Sequence, residues 1–127
     1  MIFRAARHTN DLQALIEFYT NIIGLEKLGQ FDKHENYSGV FLGKKGENWH
    51  LEFTQSNDEA QHSSDEDDIL VFYPKEQVEY DAILKRIVEN ELELLKPQNP
   101  YWASNGVMIL DPDGFRVVVS WVYCKKD

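Results

Sequence analysis

The apolar positions of the first half change period in a definite order. Ile2 to His8 reads as a short strand. Asn10 or Asp11 can cap the helix that follows, because a short polar side chain accepts from free backbone N–H groups at a helix start. Leu12, Leu15, Ile16, Tyr19, Ile22 and Ile23 recur at helical spacing, so one face of that helix is buried. Gly24 is placed to end it. Three strands are predicted over Glu26–Phe31, Tyr37–Leu42 and Trp49–Thr54, with Gly43 and Gly46 supplying the turn between the last two.

The order then repeats. Ile69 to Tyr73 is apolar and aromatic, as a strand requires, and Pro74 marks the entrance to a helix whose buried stripe is Val78, Ile83, Ile87 and Val88. Strands are predicted over Leu92–Leu95, Val107–Leu110 and Phe115–Val122. The last two are joined by Asp111-Pro112-Asp113-Gly114, a hairpin signal in which Pro fixes one backbone angle and Gly permits the positive one. Each half therefore reads strand–helix–strand–strand–strand. One such module leaves a sheet face uncovered. Two side by side give the expected class: a single α+β domain of two βαβββ modules forming a curved mixed sheet around a cup, helices outside. The modules span about 1–55 and about 68–127, with an acidic linker over about 56–67.

Charge narrows the partners. The chain has 13 Lys and Arg against 22 Asp and Glu, a net charge of −9, so nucleic acid and anionic membranes are repelled. Much of the acid lies in SNDEAQHSSDEDD, Ser56 to Asp68, read as a solvated connection. No apolar run approaches a membrane span, and MIFRAARH lacks the apolar core of a signal peptide. The single cysteine, Cys124, cannot form an internal disulfide, so a cytoplasmic setting and a spectator thiol are expected.

LQALIEFYTNIIGLEKLGQF, WHLEF and NPYWASNGVMILDPDGFRVVV together resemble the vicinal-oxygen-chelate superfamily, which holds glyoxalase I, extradiol dioxygenases, and fosfomycin- and bleomycin-resistance proteins. The resemblance covers nearly the whole chain except the acidic linker and the last few residues. It implies a cup with one metal ligand on each of four strands. Carried over position by position, those ligands fall on Arg4, Glu52, Asp68 and Val118. Only the two carboxylates suit a divalent ion. Arg4 is a permanent cation and Val118 is apolar, so no family-type metal centre is expected. If the first strand slips in register, His8, on the same strand face as Arg4, becomes the alternative ligand.

Strand alternation puts Arg4, Ala6 and His8 on one face, and His50, Glu52 and Thr54 opposite Trp49, Leu51 and Phe53. The polar set is expected to line the cup, with Arg4 replacing the metal electrostatically by bridging Glu52 and Asp68. His50 is a candidate general base, or a plain strand-face histidine. His34 and His62 have no identifiable partner. Tyr101 and Trp102, in a loop after Asn99-Pro100, either give a ligand flat apolar surface or plug a sheet edge or dimer contact.

Two functions follow from the resemblance. The first is a metal-independent protein that binds a small organic molecule through Arg4, His50, Glu52, Asp68, Tyr101 and Trp102, with no cofactor. The second is a lyase or isomerase of the glyoxalase type, with Zn, Ni, Mn or Fe and with Glu52 moving a proton. The resemblance also implies a homodimer.

Overall fold

The computed structural model describes residues 1–125, so the last two residues of the expected second module lie outside the described ones. The chain forms two compact units, Met1–His62 and Ser63–Asp127. Both pair a mixed sheet with helices, and the class is α+β.

In the first unit β1 (Phe3–His8), α1 (Leu12–Glu17), β2 (Glu26–His34), β3 (Tyr37–Gly43) and β4 (Trp49–Gln55) follow in turn. The sheet order is β1-β4-β3-β2, with β1 parallel to β4 and the other pairs antiparallel. Asp11 is the residue that caps α1: its carboxylate accepts from the Ala14 N–H. From Phe18 to Ile23 the helix widens to π geometry before ending at left-handed Gly24. Phe18, Tyr19, Ile22 and Ile23 are all buried along this segment. Tyr19 stacks on Phe53, which with Leu51, Val40 and Leu42 forms the covered face of the sheet.

In the second unit β5 (Ile69–Phe72), α2 (Gln77–Glu89), α3 (Pro100–Asn105), β6 (Gly106–Leu110) and β7 (Arg116–Ser120) are formed. The order is β5-β7-β6, with β5 parallel and β6 antiparallel to β7. Val117, Val118 and Val119 of this central strand are fully buried. The joint before β7 is held as expected. Asp111 accepts from the Asp113 and Phe115 N–H groups, and Gly114 adopts φ 85°.

Three expectations change. Leu92–Leu95 is not a strand; only Leu95 bridges, donating to the Met108 carbonyl at 2.9 Å. The Leu92 N–H is used in closing α2 on Ile87, and Pro97 has no N–H to extend a ladder. The buried stripe of α2 is Tyr80, Ile83 and Ile87, whereas Val78 and Val88 are each 72% exposed. At about 100° per residue Val78 falls opposite that stripe and Val88 well off it. The NPYW segment is not irregular: Asn99 caps α3, accepting from the Tyr101 N–H, and Pro100 opens it.

The acidic linker has no regular structure, yet it is tied down. Asn10 accepts from the Ala60 N–H at 2.7 Å and donates to the Ala60 carbonyl at 3.1 Å, so a side-chain amide pairs with a peptide. Ala60 is buried, and the His62 ring nitrogen lies 2.6 Å from the His8 carbonyl. Among the described residues no helix is long and apolar enough to cross a membrane.

Candidate functional site

Pairing of β1, β4 and β3 determines which side chains meet on the uncovered face of the first sheet. Arg4 pairs with His50 and Ala6 with Glu52 across β1 and β4, and Phe41 pairs with Glu52 across β3 and β4. Paired residues point to the same side, so Arg4, His50, Glu52 and Phe41 converge. The Arg4 Nε donates to His50 Nε2 at 2.9 Å, and Nη1 donates to Glu52 Oε1 at 3.0 Å. The guanidinium carbon lies 4.9 Å from the centre of the Phe41 ring, within cation–π reach. Phe41 meets the His50 ring edge-on and tilts against Phe31.

Two glycines make room for this arrangement. A Cβ on Gly39 would stand 2.5 Å from the Phe31 ring, and one on Gly29 would stand 3.2 Å from Phe41. The bare backbone lets both rings lie close over the strands.

The hydrogen bonds also assign a tautomer. An arginine N–H can only donate, so His50 Nε2 accepts and the neutral ring carries its proton on Nδ1. The lone pair that a general base would use is thus engaged by Arg4. The Glu52 side chain is 14% exposed, while that of Arg4 is 51% exposed, so the cation presents the open side of the cluster.

These residues do not fit a divalent metal. The positive guanidinium stands between the donor atoms of His50 and Glu52 and uses one from each. Among the described residues no group of three or more His, Cys, Asp and Glu side chains could hold an ion. Val118, to which the resemblance carries the last ligand position, is fully buried between Val71 and Met108. His8 points its Nε2 at the Ser56 hydroxyl, 2.9 Å away, and its ring packs near Tyr37.

The other candidates lie in the second unit. Asp68, just before β5, accepts from the Asp65 N–H in a turn. Tyr101 and Trp102 are neighbours at the start of α3, edge to face at 4.8 Å. Trp102 lies 6.4 Å from Tyr73, which in turn lies 4.8 Å from Tyr123. Phe41, Tyr73 and Tyr123 were not singled out from sequence. Alternation with Val40 and Leu42 was the available signal for Phe41. Tyr73 and Tyr123 are brought together only by tertiary structure.

Two modules of this order, each a mixed sheet with a helix after its first strand, define a protein of the vicinal-oxygen-chelate class. Solved structures carry the same fold. The trypanothione-dependent glyoxalase I of Leishmania major superposes with a TM-score of 0.73 at 19% identity, covering 95% of this chain and 86% of that one. TnmS3, an antibiotic-binding protein from Streptomyces sp. CB03234, does so with a TM-score of 0.66 at 18% identity, over 95% and 94%. A YycE protein of unknown function from Bacillus subtilis superposes with a TM-score of 0.84 at 35% identity, over 99% of this chain and 91% of that one.

Within that class, residues 3–54 match the YycE-like N-terminal domain and residues 67–120 the YycE-like C-terminal domain. Protein YycE of Bacillus subtilis (strain 168) is 39% identical over 119 residues, which cover 91% of this chain and 84% of that one. The chain belongs to the YycE-like family.

Proposed function

We propose that this chain is a metal-independent small-molecule-binding protein of the glyoxalase and bleomycin-resistance type. The observation that carries this reading is the Arg4 guanidinium, held by His50 and Glu52 over Phe41, at the first-strand position to which the family resemblance carries a metal ligand. A guanidinium does there what a bound cation would do electrostatically, without open coordination positions. Two of its nitrogens are engaged within the cluster. The remaining donors and the exposed face of the plane are suited to an oxygen-bearing organic ligand.

Glu52 and His50 then act by holding Arg4 and by neutralising part of its charge. Asp68, Tyr101 and Trp102 are the ligand-binding candidates of the second unit. A homodimer in the cytoplasm, with Cys124 reduced, belongs to the same reading. The fold kinship with an antibiotic-binding protein is compatible with it.

Metal analysis of protein purified without chelators, combined with a thermal-shift screen of anionic, neutral and cationic organic molecules, tests the proposal. Sub-stoichiometric metal and a saturable shift are expected. A ligand at a hundred times its Kd adds about 2.7 kcal/mol of stability, a shift of several degrees. The shift should shrink in Arg4→Ala. Stoichiometric Zn, Ni, Mn or Fe that is lost in Glu52→Gln would overturn the proposal in favour of a lyase or isomerase.

A further inference from the structure

The second unit carries a run of four rings that its fold leaves partly exposed. Tyr101 meets Trp102, Trp102 meets Tyr73, and Tyr73 meets Tyr123, at angles of 88°, 52° and 56°. They come from α3, the end of β5 and the turn after β7, so three separate segments converge. Tyr73, Tyr101 and Tyr123 are 39%, 50% and 62% exposed. Tyr101 and Trp102 meet edge to face, which covers part of one ring, and the exposed part of the three tyrosines is the surface open to a ligand. The 6.4 Å between Tyr73 and Trp102 leaves points within about 6 Å of both centres, the reach of a cation–π contact.

Acidic side chains stand nearby. Glu76, Glu79 and Asp81 lie close enough to Cys124, next to Tyr123, to push its thiol upward after burial has done so. Lys75 and Lys125, whose backbones are joined there, offset part of that charge.

We propose that Tyr73, Tyr101, Trp102 and Tyr123 bind a small organic cation, a quaternary or alkylated ammonium. The proposal rests in part on the small-molecule-binding reading, since it assigns a ligand class to Tyr101 and Trp102. Quaternary ammonium suits this surface because its charge is spread over methyl groups. Those groups pack on ring faces without needing hydrogen-bond acceptors.

Calorimetric titration of the full chain with choline and with its neutral isostere 3,3-dimethyl-1-butanol separates charge from shape. Choline should bind saturably and the isostere at least ten-fold more weakly. Tyr73→Leu and Trp102→Leu should each weaken choline about two- to five-fold, and Tyr73→Phe should restore it. Equal binding of the isostere overturns the proposal. So does absence of choline binding, including the case where sedimentation shows the rings covered by a second copy. A chain that binds other small molecules in the thermal-shift screen, with no preference for ammonium, loses this proposal alone. A chain that binds none loses both.

Discussion

Removing Arg4 should reveal how strongly the polar cluster of the first sheet is coupled. Three interactions disappear in Arg4→Ala: the 3.0 Å ion pair with Glu52, the 2.9 Å hydrogen bond to His50, and the packing over Phe41. Half of the arginine is exposed, so water screens the ion pair, and the pair alone contributes about 0.2–1 kcal/mol. Glu52 is mostly covered and loses its charged partner, which adds a penalty toward the low end of about 1–3 kcal/mol. An exposed cation–π contact adds about 0.5–1 kcal/mol. Vacated space admits water to Glu52, so these do not sum; a net loss of about 1–2 kcal/mol is expected, roughly 3–8 °C in Tm. Glu52→Gln keeps the shape and removes the charge. The double variant should be more stable than the two single losses predict, by about 0.5–1 kcal/mol, and that coupling should shrink in high salt. Urea unfolding of the four proteins measures it at constant m-value. Additive losses, or an Arg4→Ala protein as stable as the parent, would refute the geometry of the cluster.

Four other outcomes follow from single sites. Arg4→His places an imidazole beside His50 and Glu52 and should gain Zn²⁺ binding by calorimetry; no gain would mean that position 4 does not share their face. Gly106→Ala would set a Cβ 2.7 Å from the Val119 carbonyl oxygen, backbone that cannot step aside, and should destabilise by about 1–3 kcal/mol in urea unfolding. Asn10→Ala removes both bonds to Ala60, costs about 1–2 kcal/mol, and should speed proteolytic cleavage between residues 56 and 62; an unchanged cleavage rate contradicts the clamp. The Cys124 thiol and the Tyr73 and Tyr80 phenols are raised above their ordinary 9.0 and 10.0, chiefly by burial. Folding therefore favours their protonated forms, so stability is full below those values and falls as pH climbs past them, and iodoacetamide should alkylate Cys124 more slowly than a free thiol at pH 8.5.

The order of strands and helices could be read from residues because each signal is local. Period-two alternation in WHLEF separates Leu51 and Phe53 from His50 and Glu52, since successive side chains on a strand point to opposite faces. Asp11, Gly24 and Asp111-Pro112-Asp113-Gly114 act through their own backbone neighbours.

Whatever depends on partners distant in sequence was decided by the tertiary structure. The three-stranded second sheet follows from Leu92 giving its N–H to α2 before a ladder can form. The acidic linker composition predicts solvation, but one amide from Asn10, fifty residues away, holds Ala60 in place. Arg4 takes His50 as a partner because parallel register sets those two strands side by side. Strand register and the convergence of Tyr73, Trp102 and Tyr123 are long-range facts, and the charge and aromatic chemistry of this chain depend on both.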